Sequence, residues 1–135
     1  MRAVAVLVLA VATLGTCATG SAGTSSGTAL TVTYWEDSSR MTDRTIWSLR
    51  CNPPRGTLAR AGVACRRLAA ASVRLFAPPP RDVACTQIYG GPQMARVVGT
   101  IAGKRVWATF SRTDGCQISR WGGLSPWLLP AGGVS

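Results

Sequence analysis

Histidine is missing from this chain of 135 residues, and acids are scarce: five Asp or Glu stand against 15 Lys or Arg, for a formal net charge of +10. Without His there is no Ser-His-Asp or Cys-His catalytic arrangement and no zinc site with a His ligand. No Cys-x-x-Cys pair occurs, which removes the zinc ribbon and the thioredoxin-like redox site. The acids Glu36, Asp37, Asp43, Asp82 and Asp114 form no general acid/base motif. The expectation is a protein that is not an enzyme, with no catalytic residue, no metal and no cofactor. Disorder is disfavoured as well. The 15 Gly and 8 Pro stay below the roughly 25–30% that marks a disordered chain, and 47% of residues are apolar. Length favours one domain, short enough to benefit from disulfides.

A long hydrophobic run is also missing. Ala3–Leu14 is uncharged and mostly apolar, but a spanning helix needs about 20 such residues. One Arg, a short apolar stretch and then small residues read as an export leader over residues 1–22. Cleavage would fall after Ala22 or before Cys17. The second choice arises because Leu14-Gly15-Thr16-Cys17 resembles a bacterial lipobox, although Thr16 departs from it. The chain is then secreted and extracellular or, if Cys17 is lipidated, anchored at the outer face of the membrane. A membrane is a partner only in that second case. Residues 23–28 are small and polar, a flexible segment. An exported chain does not meet DNA or RNA, and no basic-aromatic nucleic-acid motif is present.

Setting Cys17 aside leaves Cys51, Cys65, Cys85 and Cys116, an even number in an oxidising compartment. Four cysteines allow three pairings, and spacing does not choose among them.

Leu30, Val32 and Tyr34 alternate with Thr31, Thr33 and Trp35, which predicts a strand over 29–35. A second strand follows from Arg44 to Cys51, and Asn52-Pro53-Pro54-Arg55-Gly56 ends it as a turn. Leu58, Ala61, Cys65, Leu68, Ser72 and Leu75 recur at three-or-four spacing, with Arg60, Arg67 and Arg74 in a separate row. That pattern predicts one amphipathic helix over 61–75 with an arginine face. Pro78–Pro80 stops it. Strands are expected over Met94–Ile101 and Arg105–Ser111, turning at Ala102-Gly103, and a last short one over Cys116–Trp121. The fold class is α+β: a mainly antiparallel sheet of about five strands, one main helix on one face, and two disulfides. The domain is placed at 29–121, and the tail 122–135 has no clear assignment.

Cys51-Asn-Pro-Pro-Arg-Gly56 followed by Ala64-Cys65-Arg-Arg-Leu68 resembles the bacterial subtilisin inhibitor-like family, whose signature runs Cys-x-Pro, Gly, His-Pro, then Ala-Cys-x-x-Leu. Leu58 and Ala59 stand where that family has His-Pro. Cys85-Thr-Gln-Ile-Tyr89 is similar to its Cys-x-x-Val-Tyr segment, and Gly99–Val106 to its Gly-x-Trp-x-Gly-Lys-x-Val hairpin, with Ile101 for Trp. Phe110-Ser111 and Asp114-Gly-Cys116 are similar to its Phe-Ser-Asn-x-Cys, with about two extra residues and Asp for Asn. The resemblance covers about residues 29–121.

It implies the pairing Cys51–Cys65 and Cys85–Cys116, and inhibition of serine proteases through an exposed, substrate-like loop. The reactive bond would be Gln87–Ile88, with Ala84, Cys85, Thr86 and Tyr89 as further loop contacts and Asp114 as loop support. Gln87 would enter the primary specificity pocket. A trypsin-like pocket has a buried carboxylate that Gln leaves unpaired, so a subtilisin-like enzyme is the expected partner rather than a trypsin-like one. The resemblance also admits a homodimer paired through the sheets. The competing reading is a cationic cell-envelope binding module with this fold but no inhibitory activity, resting on the charge and on the arginine face of the helix.

Overall fold

The computed structural model describes residues 27–71 and 73–132. The leader, Cys17 and most of the 23–28 segment lie outside the described residues. Among those described, no helix is long and apolar enough to cross a membrane.

Five strands form one antiparallel sheet in the order β3-β2-β1-β4-β5: β1 Ala29–Trp35, β2 Arg44–Arg50, β3 Arg55–Gly56, β4 Met94–Ile101 and β5 Lys104–Ser111. Alternation decides which face is covered. Leu30, Val32 and Tyr34 of β1, Leu49 of β2, Ala95 and Val97 of β4, and Val106, Ala108 and Phe110 of β5 are buried together. The β4–β5 hairpin turns at Ala102 and Gly103, with φ of 48° and 78°. Both central residues are left-handed, as the favoured two-residue turn requires.

Two helices cover that face. Helix α1 (Ala61–Ala70) contributes Ala64 and Leu68 to the core, and α2 (Gly115–Leu124) contributes Trp121 and Leu124. The α+β class and the antiparallel sheet are as expected. Three local assignments are corrected.

The helix expected over 61–75 ends at Ala70. Ala71 turns extended, and a 3-10 turn at Val73–Phe76 follows. That break rotates Phe76 into the core, edge-on to Phe110 at 6.1 Å between ring centroids. It also dissolves the expected arginine face. Arg60 sits at the N-cap with φ 59°, Arg67 in the last turn of α1 and Arg74 in the 3-10 turn, so they share no helix.

The expected strand over Cys116–Trp121 is instead helix α2. Asp114 caps it, its Oδ1 accepting from the Gln117 N–H at 2.9 Å. The fifth strand is β3, inside the segment read as a turn. Its pairing with β2 is limited to Leu49–Gly56 and Arg50–Arg55.

The unassigned tail is part of the core. Trp127, Leu128 and Leu129 are buried, the Trp121 indole donates to the Pro130 carbonyl at 2.9 Å, and the Trp127 indole donates to Gly123 O at 3.1 Å. Cys51–Cys65 ties β2 to α1, and Cys85–Cys116 ties the long loop before β4 to α2.

Candidate functional site

Between the 3-10 turn and β4 the chain forms no regular structure from Pro78 to Gln93. Pro78–Pro80 removes three backbone donors and fixes three φ angles, so this segment starts out extended. Five contacts then fix it, the first within the segment and the other four to the rest of the chain. Val83 N–H donates to Pro80 O at 3.4 Å, Gly115 N–H to Thr86 O at 2.9 Å, Gly90 N–H to Arg112 O at 2.7 Å, and Ser38 N–H to Pro92 O at 2.9 Å. The fifth is the Cys85–Cys116 disulfide.

Three of these converge on one short segment, Arg112–Cys116, which links β5 to α2. It grips the loop on the N-terminal side through Gly115 and Cys116, and on the C-terminal side through the Arg112 carbonyl. Gln87, Ile88 and Tyr89 lie between the two grips and are exposed; Ile88 and Tyr89 are 62% and 65% accessible. Large apolar side chains held out in water on a fixed backbone mark a contact surface.

The approach of the supporting segment is close. A Cβ on Gly115 would lie 2.0 Å from Thr86 Oγ1, so any larger residue forces Thr86 to shift where the grip meets the loop. Gly91 has φ 136°, a conformation other residues rarely adopt, as the chain turns toward β4.

A buried polar network underlies the C-terminal grip. The Arg112 guanidinium donates to Gln93 Oε1 at 3.0 Å, and the Gln93 amide donates to Glu36 Oε1 at 3.3 Å. The Tyr34 hydroxyl donates to the other Glu36 oxygen. Arg112 and Gln93 are both buried, so each needs these partners. Burial first, and then the Glu36 carboxylate, push the Tyr34 hydroxyl well above its ordinary pKa. The network ties the ends of β1 and β4 to the residue whose carbonyl holds Gly90.

The predicted site residues thus come together in part. Cys85, Thr86, Gln87, Ile88 and Tyr89 form one held and exposed stretch, and Ala84 precedes it, also exposed. Asp114 caps α2, the helix that carries Cys116, and the loop itself is met by its neighbour Gly115. Asp114, Cys85 and Cys116 place ligand-type atoms within 4.8 Å of one another, but both sulfurs are spent in the disulfide and offer no thiolate to a metal. On its leading side the loop borders a cavity of about 410 Å³ lined by Pro79, Pro80, Ala84, Thr86, Cys116 and Arg120. Arg120 lies over the Phe110 ring, 4.5 Å from its centroid, and burial lowers its pKa.

Sequence reading missed Gly115, Arg112 and Gln93. A capping signal, Asp114 followed three residues later by Gln117, marks the helix start that brings Gly115 under the loop.

A model of the subtilisin inhibitor-like family matches residues 24–113. The chain belongs to that family. The matched stretch contains the whole sheet, α1 and the loop through Arg112, and stops before α2 and Cys116. Among curated proteins none matches. Among solved structures, the crystal structure of Streptomyces caespitosus sermetstatin in complex with Bacillus licheniformis subtilisin is similar, with 23% identity and a TM-score of 0.50. The likeness covers 78% of this chain and 99% of that one, and it bears on the fold. Membership in a family of inhibitors agrees with the absence of catalytic machinery in the sequence.

Proposed function

We propose that this chain inhibits subtilisin-like serine endopeptidases by presenting Gln87–Ile88 as a substrate-like bond that is bound tightly and turned over slowly. The observation that carries the reading is the pair of grips on either side of that bond, both from Arg112–Cys116. Family membership supplies the protease class, and the sermetstatin neighbour was crystallised on a subtilisin.

Residues 84–87 would lie along the protease cleft as an added strand, their backbone groups pairing with the enzyme's edge. A loop already held loses little conformational entropy on binding, so more of the contact energy appears as affinity. If the enzyme's serine attacks Gln87, the amine of Ile88 leaves the bond but not the vicinity. The Gly90–Arg112 bond and the network beneath it keep it beside the acyl-enzyme. Religation then competes with water at a high effective concentration. Gln87 is long and neutral, suited to a broad pocket and unable to pair the carboxylate of a trypsin-like one. Ala84 fills an apolar subsite weakly.

The chain acts outside the cytoplasm, free when cleaved after Ala22 and tethered when Cys17 is retained and lipidated. The cationic module without inhibition loses its main support, because the arginine row shares no helix.

The test is a titration of a subtilisin and a trypsin with the purified protein. Stoichiometric loss of subtilisin activity, little effect on trypsin, and a shift toward trypsin in Gln87→Lys are the expected results. A folded protein that leaves subtilisin fully active contradicts the proposal.

A further inference from the structure

The family model stops at residue 113, yet the chain beyond it returns to the support of the reactive loop. Its route is fixed by the core. Trp127, Leu128 and Leu129 are buried, and Pro130 O accepts from the Trp121 indole at 2.9 Å and from the Ser125 hydroxyl at 3.1 Å. Two residues later, Gly132 lies against the Arg112 guanidinium. A Cβ there would stand 2.3 Å from Cζ, 2.5 Å from Nε and 2.6 Å from Nη2. The backbone of the tail therefore covers this group directly.

The reactive loop meets the same group at Nη1. A Cβ on Gly91 would lie 3.1 Å from Arg112 Nη1 and 2.3 Å from Gln93 Oε1, the pair joined by a 3.0 Å hydrogen bond. The Arg112 carbonyl meanwhile accepts from Gly90 N–H at 2.7 Å. One residue thus holds the trailing side of the loop twice, by its backbone and by its side chain. Two glycines permit that approach, one from the loop and one from the tail. A buried cation is costly, and a hydrocarbon of similar volume often stabilises a fold as well or better. What arginine adds is direction, because its planar fork fixes the groups it touches.

Given the inhibitory function proposed for Gln87–Ile88, on which this step depends, we infer that Arg112 is a positioning residue for religation and that the tail, through Gly132, locks its guanidinium in place. In religation the neutral Ile88 amine attacks the Gln87 acyl carbon with its lone pair. The ester bond to the enzyme's serine breaks, and the amine proton passes through the enzyme's base to the serine oxygen. The amine must return to within about 3–3.5 Å of that carbon. After the cut, Ile88 is a chain end only two residues from Gly90. Its position then depends on Gly90–Gln93, held by Arg112 and by the Ser38–Pro92 bond. The leading side has separate anchors, Cys85–Cys116 and Gly115–Thr86. Loosening Arg112 leaves residues 84–87 in the cleft, so binding and acylation persist while water overtakes religation. Initial contact belongs to the leading grip, and persistence belongs to Arg112 and the tail.

The test follows subtilisin activity and intact inhibitor mass over time for the full chain and its variants. The ratio of cut to intact Gln87–Ile88 is approached both from intact protein and from protein already cut at that bond. Arg112→Met and Gly132→Val should first inhibit within about threefold of wild type, then lose inhibition about tenfold faster and settle at a cut-to-intact ratio about tenfold higher. Gly132→Val lies beyond the buried tail residues, so it disturbs Arg112 without emptying the core. Arg112→Lys, which keeps a cation and a donor for Gln93, should recover part of the loss. Gly122→Ala, whose methyl meets nothing within 4 Å, should match wild type. Unchanged persistence and ratio in folded Arg112→Met and Gly132→Val overturn the inference while wild type still inhibits. Loss of initial inhibition with cuts at other bonds also overturns it, because Arg112 would then serve stability alone. A wild-type protein that never inhibits overturns the inhibitory reading, and the inference with it.

Discussion

Removing the Cys85–Cys116 bridge by a Cys85→Ala/Cys116→Ala double substitution separates loop restraint from stability. The bridges close sequence separations of 31 for Cys85–Cys116 and 14 for Cys51–Cys65. In the chain-entropy model they stabilise the fold by about 3.7 and about 3 kcal/mol. The two losses are thus nearly equal, and each leaves some stability in a domain with about 5–15 kcal/mol. Their effects on inhibition should differ greatly. Without Cys85–Cys116 the leading grip keeps one hydrogen bond, Gly115 to Thr86. If two loop residues regain backbone freedom, binding must reimpose about 2–4 kcal/mol, or about 30- to 1000-fold in Kd. The Cys51→Ala/Cys65→Ala protein, whose bridge lies between β2 and α1, should inhibit subtilisin nearly as wild type does. Urea unfolding fixes the stabilities, and residual subtilisin activity and intact inhibitor are then followed at 10 °C, where both variants are folded. Rapid digestion of the Cys85/Cys116 variant beside an inhibitory Cys51/Cys65 variant is expected. Equal loss of inhibition in two folded variants would refute the reasoning, because stability rather than loop restraint would then govern function.

Three further outcomes follow from the same geometry. Gly115→Ala places a methyl against Thr86 Oγ1 and should weaken subtilisin inhibition about tenfold with little change in the unfolding midpoint, and Thr86→Ala in that background should recover most of the loss. The Tyr34 hydroxyl is held un-ionised by burial and by Glu36, above its ordinary value of 10.0; the unfolded tyrosine therefore loses its proton first, stability falls as pH rises above about 10, and Tyr34→Phe should flatten that part of the pH–stability curve. Trp127→Ala should cost about 3–5 kcal/mol in urea unfolding, since the ring is buried in the core although it belongs to the tail.

The strands that alternate cleanly were legible because one face of each is dry. Leu30, Val32 and Tyr34 needed no further context, and the Ala102-Gly103 turn sat where two such patterns met. Helix α1 was legible at its start but not at its end. The apolar spacing continues through Leu75, and only the packing of Phe76 against Phe110 explains why the chain breaks after Ala70. Helix α2 was hidden for another reason. Gly122 and Gly123 weaken its helical character, so Cys116–Trp121 reads as a strand, while Trp121, Leu124 and Leu128 fall at helical spacing once the tail is included. In the site, Cys85 to Tyr89 could be placed from the sequence by resemblance, because a short motif holds them together. The support could not be placed that way. It depends on backbone groups of Arg112 and Gly115, and on Gln93, which resembles a surface glutamine until Arg112 and Glu36 are found beside it.

The central claim is that Gln87–Ile88 is the bond offered to the protease, and intact mass tests it most directly. The protein is incubated briefly with a catalytic amount of subtilisin, quenched in acid, reduced and weighed. Cys85–Cys116 keeps the two pieces joined until reduction, so a single cut between Gln87 and Ile88 should appear then as two complementary fragments, with most of the chain still intact. Cleavage confined to other bonds, with Gln87–Ile88 untouched while subtilisin is inhibited, would contradict the account.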